Sequence, residues 1–228
     1  MKAIIVPQFG GPEVLTLTDL PDPKPNHGEA LLRVRACALN HLDFWVRTGI
    51  PAYKIRLPHI LGCDVAGDVV ALGEGVSGIK IGDKMAVSPG RSCRTCEYCL
   101  GGLDNRCPDY GIIGAQGGPG GYAEYLCVPQ EYLLPMGEDL SYEQAAAYPL
   151  TFLTAWHMLM TLGGCGPDQT VLVLGAGSGV GVAAIQVAKL AGATVIAVST
   201  SPEKLEKTRK LGADQTILLE PDGSQNLL

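Results

Sequence analysis

Between Thr170 and Lys189 the chain reads TVLVLGAGSGVGVAAIQVAK, a stretch that admits few folds. A short apolar run (Val171 to Leu174) breaks into alternating glycines (Gly175, Gly177, Gly179, Gly181). Small and apolar residues at helical spacing follow (Val182, Ile185, Gln186, Lys189), which predicts strand, tight turn and helix. Without Cβ atoms such a turn takes positive φ and approaches a ligand closely, and the free N–H groups opening the helix attract an anion. The strict G-x-G-x-x-G frame fails at Val180 and Val182, but Ala176-x-Ser178-x-x-Gly181 keeps small residues at the three places. Such a turn serves a dinucleotide's pyrophosphate or packing alone. The next unit favours the dinucleotide and makes Gly175, Gly177, Ser178, Gly179, Val180 and Gly181 candidate coenzyme-binding residues.

Ala193 to Val198 reads as a second buried strand ending at Ser199. A carboxylate there would hold the ribose hydroxyls of NAD and repel a 2′-phosphate. The chain instead offers Ser199, Thr200 and Ser201, followed by Lys204, Lys207 and Arg209, which favours NADP over NAD on charge. Ser201 with Pro202 also makes an ordinary helix start, a role compatible with the first. A further helix (Pro202 to Leu211) and a third strand (Thr216 to Leu219) complete one mononucleotide-binding half of a doubly wound parallel sheet.

Before this, short apolar runs separated by Gly and Pro give the first 130 residues the texture of a β domain, with strands expected at Lys2 to Val6, Val14 to Thr18, Glu29 to Ala38, within His59 to Leu72, at Gly82 to Val87 and at Gly121 to Val128. Ser141 to Gln144 is a capping box opening a helix, and a second helix runs from Leu150 or Thr151 to Leu162. Two domains are expected, at 1–140 and 141–228. A net charge of −6 argues against a nucleic-acid or anionic-membrane partner. No apolar run reaches membrane-spanning length, and the N-terminal one is too short for a signal peptide, so the expected place is the cytoplasm.

Eight cysteines in such a chain are not a disulfide framework. Cys37, Cys63, Cys127 and Cys165 stand in apolar surroundings, where a buried inert thiol is the ordinary reading, but Cys63 is also a candidate catalytic residue. Cys93-x2-Cys96-x2-Cys99-x7-Cys107 is different: four thiolates in a polar loop (91–110) can close a tetrahedron around one zinc, leaving no open position for substrate. The expected zinc is structural and replaces a core the lobe lacks. An iron–sulfur cluster or redox thiols are the alternatives.

Over almost its whole length the chain resembles the medium-chain, zinc-type alcohol dehydrogenase and quinone oxidoreductase superfamily. The resemblance rests on FGGPEVL (9 to 15), Asn40-His41-Leu42-Asp43, LGCDVAGDV (61 to 69), GDKM (82 to 85), the cysteine lobe, GGYAEY (120 to 125), PLTFLTAW (149 to 156) and GAGSGVG (175 to 181). It implies an α/β architecture, a GroES-like β-barrel domain followed by a partial Rossmann domain, with hydride transfer in a cleft between them and homo-oligomeric full-length relatives. Alcohol dehydrogenases of that family hold a catalytic zinc with a Cys, a His and a further Cys or acid, beside a Ser or Thr proton relay. Here those positions resemble Asn40, Cys63 and Leu150 or Thr151, with Leu42 at the relay. An amide, one thiol and an aliphatic group make a poor tetrahedral site, so the catalytic zinc is read as lost. A rearranged site of Cys63 with Asp64, His41 or His59 is the alternative.

Without a Lewis acid, alkoxide oxidation is hard. A quinone or α,β-unsaturated carbonyl, by contrast, accepts hydride from NADPH when hydrogen bonds polarise its oxygen. The resemblance then points to the zinc-independent quinone oxidoreductase and enoyl reductase branch. Expected roles are Asn40 and Tyr53 as polarising donors, Asp43 as an orienting carboxylate, His41 as a phosphate contact or proton source, and Thr154 near the nicotinamide ribose. Each could serve structure alone. Trp45 and Trp156 are expected to be packing groups. Competing readings are a zinc alcohol dehydrogenase with an unusual site and an inactive, truncated coenzyme-binding protein; the short C-terminus leads to the expectation of a fragment of a longer reductase.

Overall fold

The computed structural model describes residues 1–51 and 53–220, together with the backbone of 225–227. Of the stretch assigned to the second domain, 221–224 and 228 lie outside the described residues. The chain divides into two units, Met1–Pro149 and Leu150–Leu228.

In the first unit, β-rich sequence becomes two antiparallel sheets. One has three strands in the order β2-β1-β4: β1 is Lys2–Val6, β2 Thr16–Asp19 and β4 His59–Ile60. The other has five strands in the order β10-β6-β5-β3-β9. Here β3 is Glu29–Ala38, β5 Asp64–Leu72, β6 Lys84–Val87, β9 Tyr125–Pro129 and β10 Leu133–Pro135. A bridge between Ala3 and Ala123 joins the two systems. Alternation sends Ala30 and Leu32 of β3, Val65 and Val69 of β5, and Leu126 and Val128 of β9 into one core with Met85 and Val87. A small ribbon, β7 (Gly90–Arg91) with β8 (Gly111–Ile112), frames the cysteine lobe, which carries the short helix α2 (Glu97–Leu100).

Helix α1 (His41–Thr48), between β3 and β4, is absent from the strand-and-turn reading of this region. Its signals are present in the sequence: an Asn40-x-x-Asp43 capping box, and Gly49 at φ 83 as the left-handed C-cap. The helix turns Leu42, Asp43, Val46 and Arg47 inward, so Trp45 is 44% exposed, and Trp156 is 49% exposed. Both depart from the packing role expected of them. The unit boundary falls later than residue 140 because α3 (Tyr142–Ala147) packs Ala145 and Ala146 against Ala66 of β5 and Ala86 of β6.

The second unit opens with α4 (Pro149–Trp156), which passes into a π-helical turn at His157–Leu162 rather than continuing as one α-helix. Strands β11 (Thr170–Leu174), β12 (Thr194–Ser199) and β13 (Gln215–Leu219) are parallel neighbours in that order. They are linked by α5 (Gly179–Leu190) and α6 (Pro202–Lys210), as a βαβαβ half requires. A further strand, β14 (Gln225–Leu227), runs antiparallel beside β13, an addition the sequence pattern did not reveal. The core is alanine-rich: Ala183, Ala184 and Ala188 of α5 bring the helix close to Val173 of β11 and Val195 and Ala197 of β12. The other face of β11, the edge strand, is uncovered, with Leu172 56% and Leu174 71% exposed.

Candidate functional site

The glycine-rich turn is built by three local devices. Gly175 takes φ +60, the Ala176 N–H donates to the Val198 carbonyl at 2.9 Å, and Ser178 caps α5 by accepting the Gly181 N–H at 3.1 Å. Gly181 is required by close packing: a Cβ there would lie 2.6 Å from the Gly175 oxygen. These features leave an open cavity of about 350 Å³ that brings Gly175, Gly177 and Ser178 together with Ser199, Thr200 and Lys204. Gly179 and Val180 begin α5 beside it, and Ser201 caps α6 by accepting the Lys204 N–H at 3.3 Å. The three cations expected here differ in availability. Lys207 pairs with Glu203 at 2.7 Å, and Arg209 bonds Glu206 at 3.1 Å and Thr216 at 2.6 Å. Lys204 has no ion-pair partner among the described residues, and its stem lies over Gly177, where a Cβ would come within 2.6 Å of Cδ. The Thr154 hydroxyl donates to the Leu150 carbonyl at 2.7 Å, leaving its oxygen as an acceptor.

In the first unit the buried carboxylate of Asp43 is a hub. Through Oδ2 it accepts the Asn40 N–H at 2.7 Å and the Tyr122 hydroxyl at 3.0 Å, and through Oδ1 the Gly62 N–H at 3.0 Å. Gly62 sits at φ +95, and a Cβ there would strike the Tyr122 ring at 2.6 Å and Cys37 Sγ at 2.7 Å. Burial, together with the nearby Asp43 and Asp64 charges, pushes the Cys37 thiol up to about 12; the Cys63 thiol and the Tyr122 phenol also titrate far above their ordinary ranges, with burial the main cause. The polar groups here are thus neutral donors around carboxylates. Asp43→Ala leaves three donors without their acceptor and is expected to destabilise the chain by about 3 kcal/mol, read as a lower urea midpoint at unchanged m.

The Asn40 amide does not point outward as a free donor. Its Nδ2 lies 2.9 Å from Asp64 Oδ2 and 3.5 Å from Cys63 Sγ, so its hydrogens are engaged inside the protein. At this place the Asn40 amide nitrogen faces Cys63 Sγ and Asp64 Oδ2, so an N–H donor stands where a third thiolate or imidazole would complete a zinc site. Among the described residues no cluster of three or more His, Cys, Asp or Glu ligand atoms forms around Cys63, which removes support for its rearrangement with Asp64, His41 or His59. His41 is exposed, its ring 6.0 Å from that of Trp45, and Tyr53 is half-buried. Tyr122, 79 residues from Asp43 in sequence, was missed as a site residue; GGYAEY was its only signal.

The four cysteines do converge. The Sγ atoms of Cys93, Cys96, Cys99 and Cys107 all lie within 4.8 Å of one another, with Cys93 to Cys99 at 3.9 Å and Cys96 to Cys99 at 3.5 Å. Thiolates about 2.3 Å from a tetrahedral zinc stand about 3.8 Å apart, so the set fits that ion. Backbone N–H groups already point at sulfur: Cys96 to Cys93 Sγ at 3.3 Å and Cys93 to Cys107 Sγ at 3.4 Å. The N–H and hydroxyl of Thr95, with the Cys96 N–H, lower the Cys93 thiol to about 6. Arg94 adopts φ 60 in this knuckle. Of residues 93–109 only Cys107 is buried, so no apolar core holds the lobe.

Comparison with known proteins places these features in context. The alcohol dehydrogenase GroES-like domain family matches residues 26–138, and the zinc-binding dehydrogenase family matches residues 179–225. The chain is 35% identical over 218 residues to an alcohol dehydrogenase of Geobacillus stearothermophilus, covering 95% of this chain and 63% of that protein. It is 32% identical over 216 residues to a quinone oxidoreductase of Rattus norvegicus, covering 94% and 57%. It superposes on the crystal structure of an NAD-dependent alcohol dehydrogenase with a TM-score of 0.94 at 51% identity, covering 98% and 65%. The chain therefore spans less than two thirds of each. No described helix is long and apolar enough to cross a membrane.

Proposed function

Because the chain belongs to the medium-chain dehydrogenase/reductase superfamily, with a GroES-like domain followed by a Rossmann-type half, we propose that it acts as an NADPH-dependent reductase of quinones or α,β-unsaturated carbonyls, stabilised but not catalysed by zinc. The observation carrying this reading is the Asn40 amide, whose nitrogen lies between Cys63 Sγ and Asp64 Oδ2 where the dehydrogenases keep a metal ligand. The coenzyme's pyrophosphate would lie at the Ser178 to Gly181 turn and its adenosine ribose at Ser199, Thr200, Ser201 and Lys204; bound there, it supplies the hydride. Lys204 offers the 2′-phosphate a positive charge, and among the described residues no carboxylate lines the cavity to repel it. Asp43 fixes Asn40, Gly62 and Tyr122, while His41 and Tyr53 are the side chains left to hold or donate a proton to the substrate oxygen. Cys93, Cys96, Cys99 and Cys107 would hold a structural zinc.

Rates of NADPH oxidation with a quinone and an enone, set against NADP-linked oxidation of a primary alcohol, test the reading. Faster reduction supports it; faster alcohol oxidation overturns it and restores a zinc alcohol dehydrogenase. The 51%-identical neighbour is described as NAD-dependent, which gives coenzyme choice its own test. Lys204→Glu is expected to weaken NADPH binding about tenfold, the loss of one charge-assisted contact, while NADH binding holds or improves. Nicotinamide fluorescence titration reads both, and equal effects on the two coenzymes would assign Lys204 no role at the 2′-phosphate.

A further inference from the structure

A second cavity, of about 630 Å³, lies wholly within the first unit, between β4 and the segment from Ala115 to Pro119. It is in the size range of small-molecule sites. Ile5, Leu20, Pro58 and Ile60 give it apolar walls, while Lys54 and Arg56 bring two positive charges to it. Among the described residues no carboxylate lines it. The acids nearby in sequence are already paired, Asp22 with the N-terminal ammonium at 2.6 Å and Asp19 with Lys2 at 3.3 Å. Neither Lys54 nor Arg56 has an ion-pair or hydrogen-bond partner among the described residues. Both side chains are exposed, and with no counter-charge paired to either they give the mouth of this apolar hollow a positive field that favours an anion.

An independent observation concerns His59, which is 8% exposed and forms part of the same wall. Burial lowers the imidazole's pKa, with the Gly114 backbone partly opposing it, and Nε2 is a buried side-chain atom without a hydrogen-bond partner among the described residues. An orphaned buried nitrogen in a cavity wall marks a place where a partner is missing. In the neutral ring it is a lone pair, suited to a hydroxyl on a ligand or to a water carried with it.

We propose that this cavity is a binding site for a small organic anion, its apolar body seated on Ile5, Leu20, Pro58 and Ile60 and its acidic group held by Lys54 and Arg56. The site is independent of the reductase reading: it shares no residue with the glycine-rich turn or the cysteine lobe. The probes are octanoate, octyl phosphate and octan-1-ol, each titrated against the imidazole resonances of the four histidines, with His59→Gln assigning the relevant signal. Saturable shifts of the His59 resonance by an acid, with octan-1-ol bound at least about tenfold more weakly, are expected. Lys54→Gln and Arg56→Gln, both at exposed positions, should each weaken the acid by several-fold to about tenfold and leave the alcohol unchanged. The tighter of the two acids identifies the acidic group as carboxylate or phosphate. An unmoved His59 signal, equal affinity for acid and alcohol, or full acid affinity in both lysine and arginine variants would overturn the proposal.

Discussion

Replacing Cys99 with alanine is expected to release the zinc and unfold the lobe between residues 91 and 110. Its sulfur stands 3.9 Å from that of Cys93 and 3.5 Å from that of Cys96, inside the tetrahedron, and no neighbouring group can substitute. Structural zinc contributes about 10–16 kcal/mol in small zinc domains, or roughly 3 kcal/mol for each of four ligands, so the three-thiolate site should lose at least about two orders of magnitude in affinity and give its metal up to a chelator. A loss of that size in a chain this long lowers the melting temperature by about 6–12 °C. The lobe feels it first because its attachments to the rest of the unit are few: the Tyr132 hydroxyl bridging the Ser92 N–H (3.0 Å) and carbonyl (3.1 Å), the Arg91 guanidinium on the Gly117 carbonyl (2.9 Å), and a 4.0 Å ion pair of Arg94 with Glu131. Proteolysis should therefore cut within 91–110 before anywhere else. A variant that keeps one zinc and resists cleavage there would show that the lobe does not depend on the metal.

Gly181→Val is expected to cost about 3 kcal/mol or more and to abolish coenzyme binding. The first added carbon already lies 2.6 Å from the Gly175 oxygen and 2.8 Å from the Ala176 Cα, and both neighbours are backbone. They cannot withdraw, because the Ala176 N–H is tied to β12. Relief would require α5 to lift off β11, opening the alanine-rich core and splaying the N–H groups meant for a pyrophosphate. Gly177→Ala is the informative contrast. Its new carbon meets side-chain atoms of Lys204 (Cδ at 2.6 Å, Cβ at 2.9 Å) and no backbone, so the stability loss should be smaller than that of Gly181→Val while NADPH affinity falls. Urea denaturation and fluorescence titration of both variants separate the effects. Equal stability losses would mean that close helix–strand approach at Gly181 is not what the turn needs.

How much of this could be read from residues alone follows from the range of the interactions. The cysteine lobe and the βα turn were legible because their ligands and small residues lie within a few positions of one another. The Asp43 hub was only half legible. The Asn40-x-x-Asp43 box is local, but Gly62 and Tyr122 reach the carboxylate from 19 and 79 residues away, through a positive-φ turn and a separate loop. The direction of the Asn40 amide depends on Asp64 arriving beside it along β5, and no spacing rule reports that. Lys207 and Arg209 looked like phosphate ligands until their helical partners Glu203 and Glu206 took them. Trp45 misled for a related reason: apolar bulk predicts burial, yet α1 spends its inward face on Leu42, Asp43, Val46 and Arg47.

Zinc per chain, determined on the purified protein and on its Cys99→Ala and Cys63→Ala variants, addresses the central claim most directly. One zinc is expected, lost to a chelator in Cys99→Ala and unaffected in Cys63→Ala, since the Asn40 amide N–H lies against Cys63 Sγ where a further ligand would stand. Two zincs, the second disappearing with Cys63, would contradict it and return the chain to zinc-catalysed alcohol chemistry.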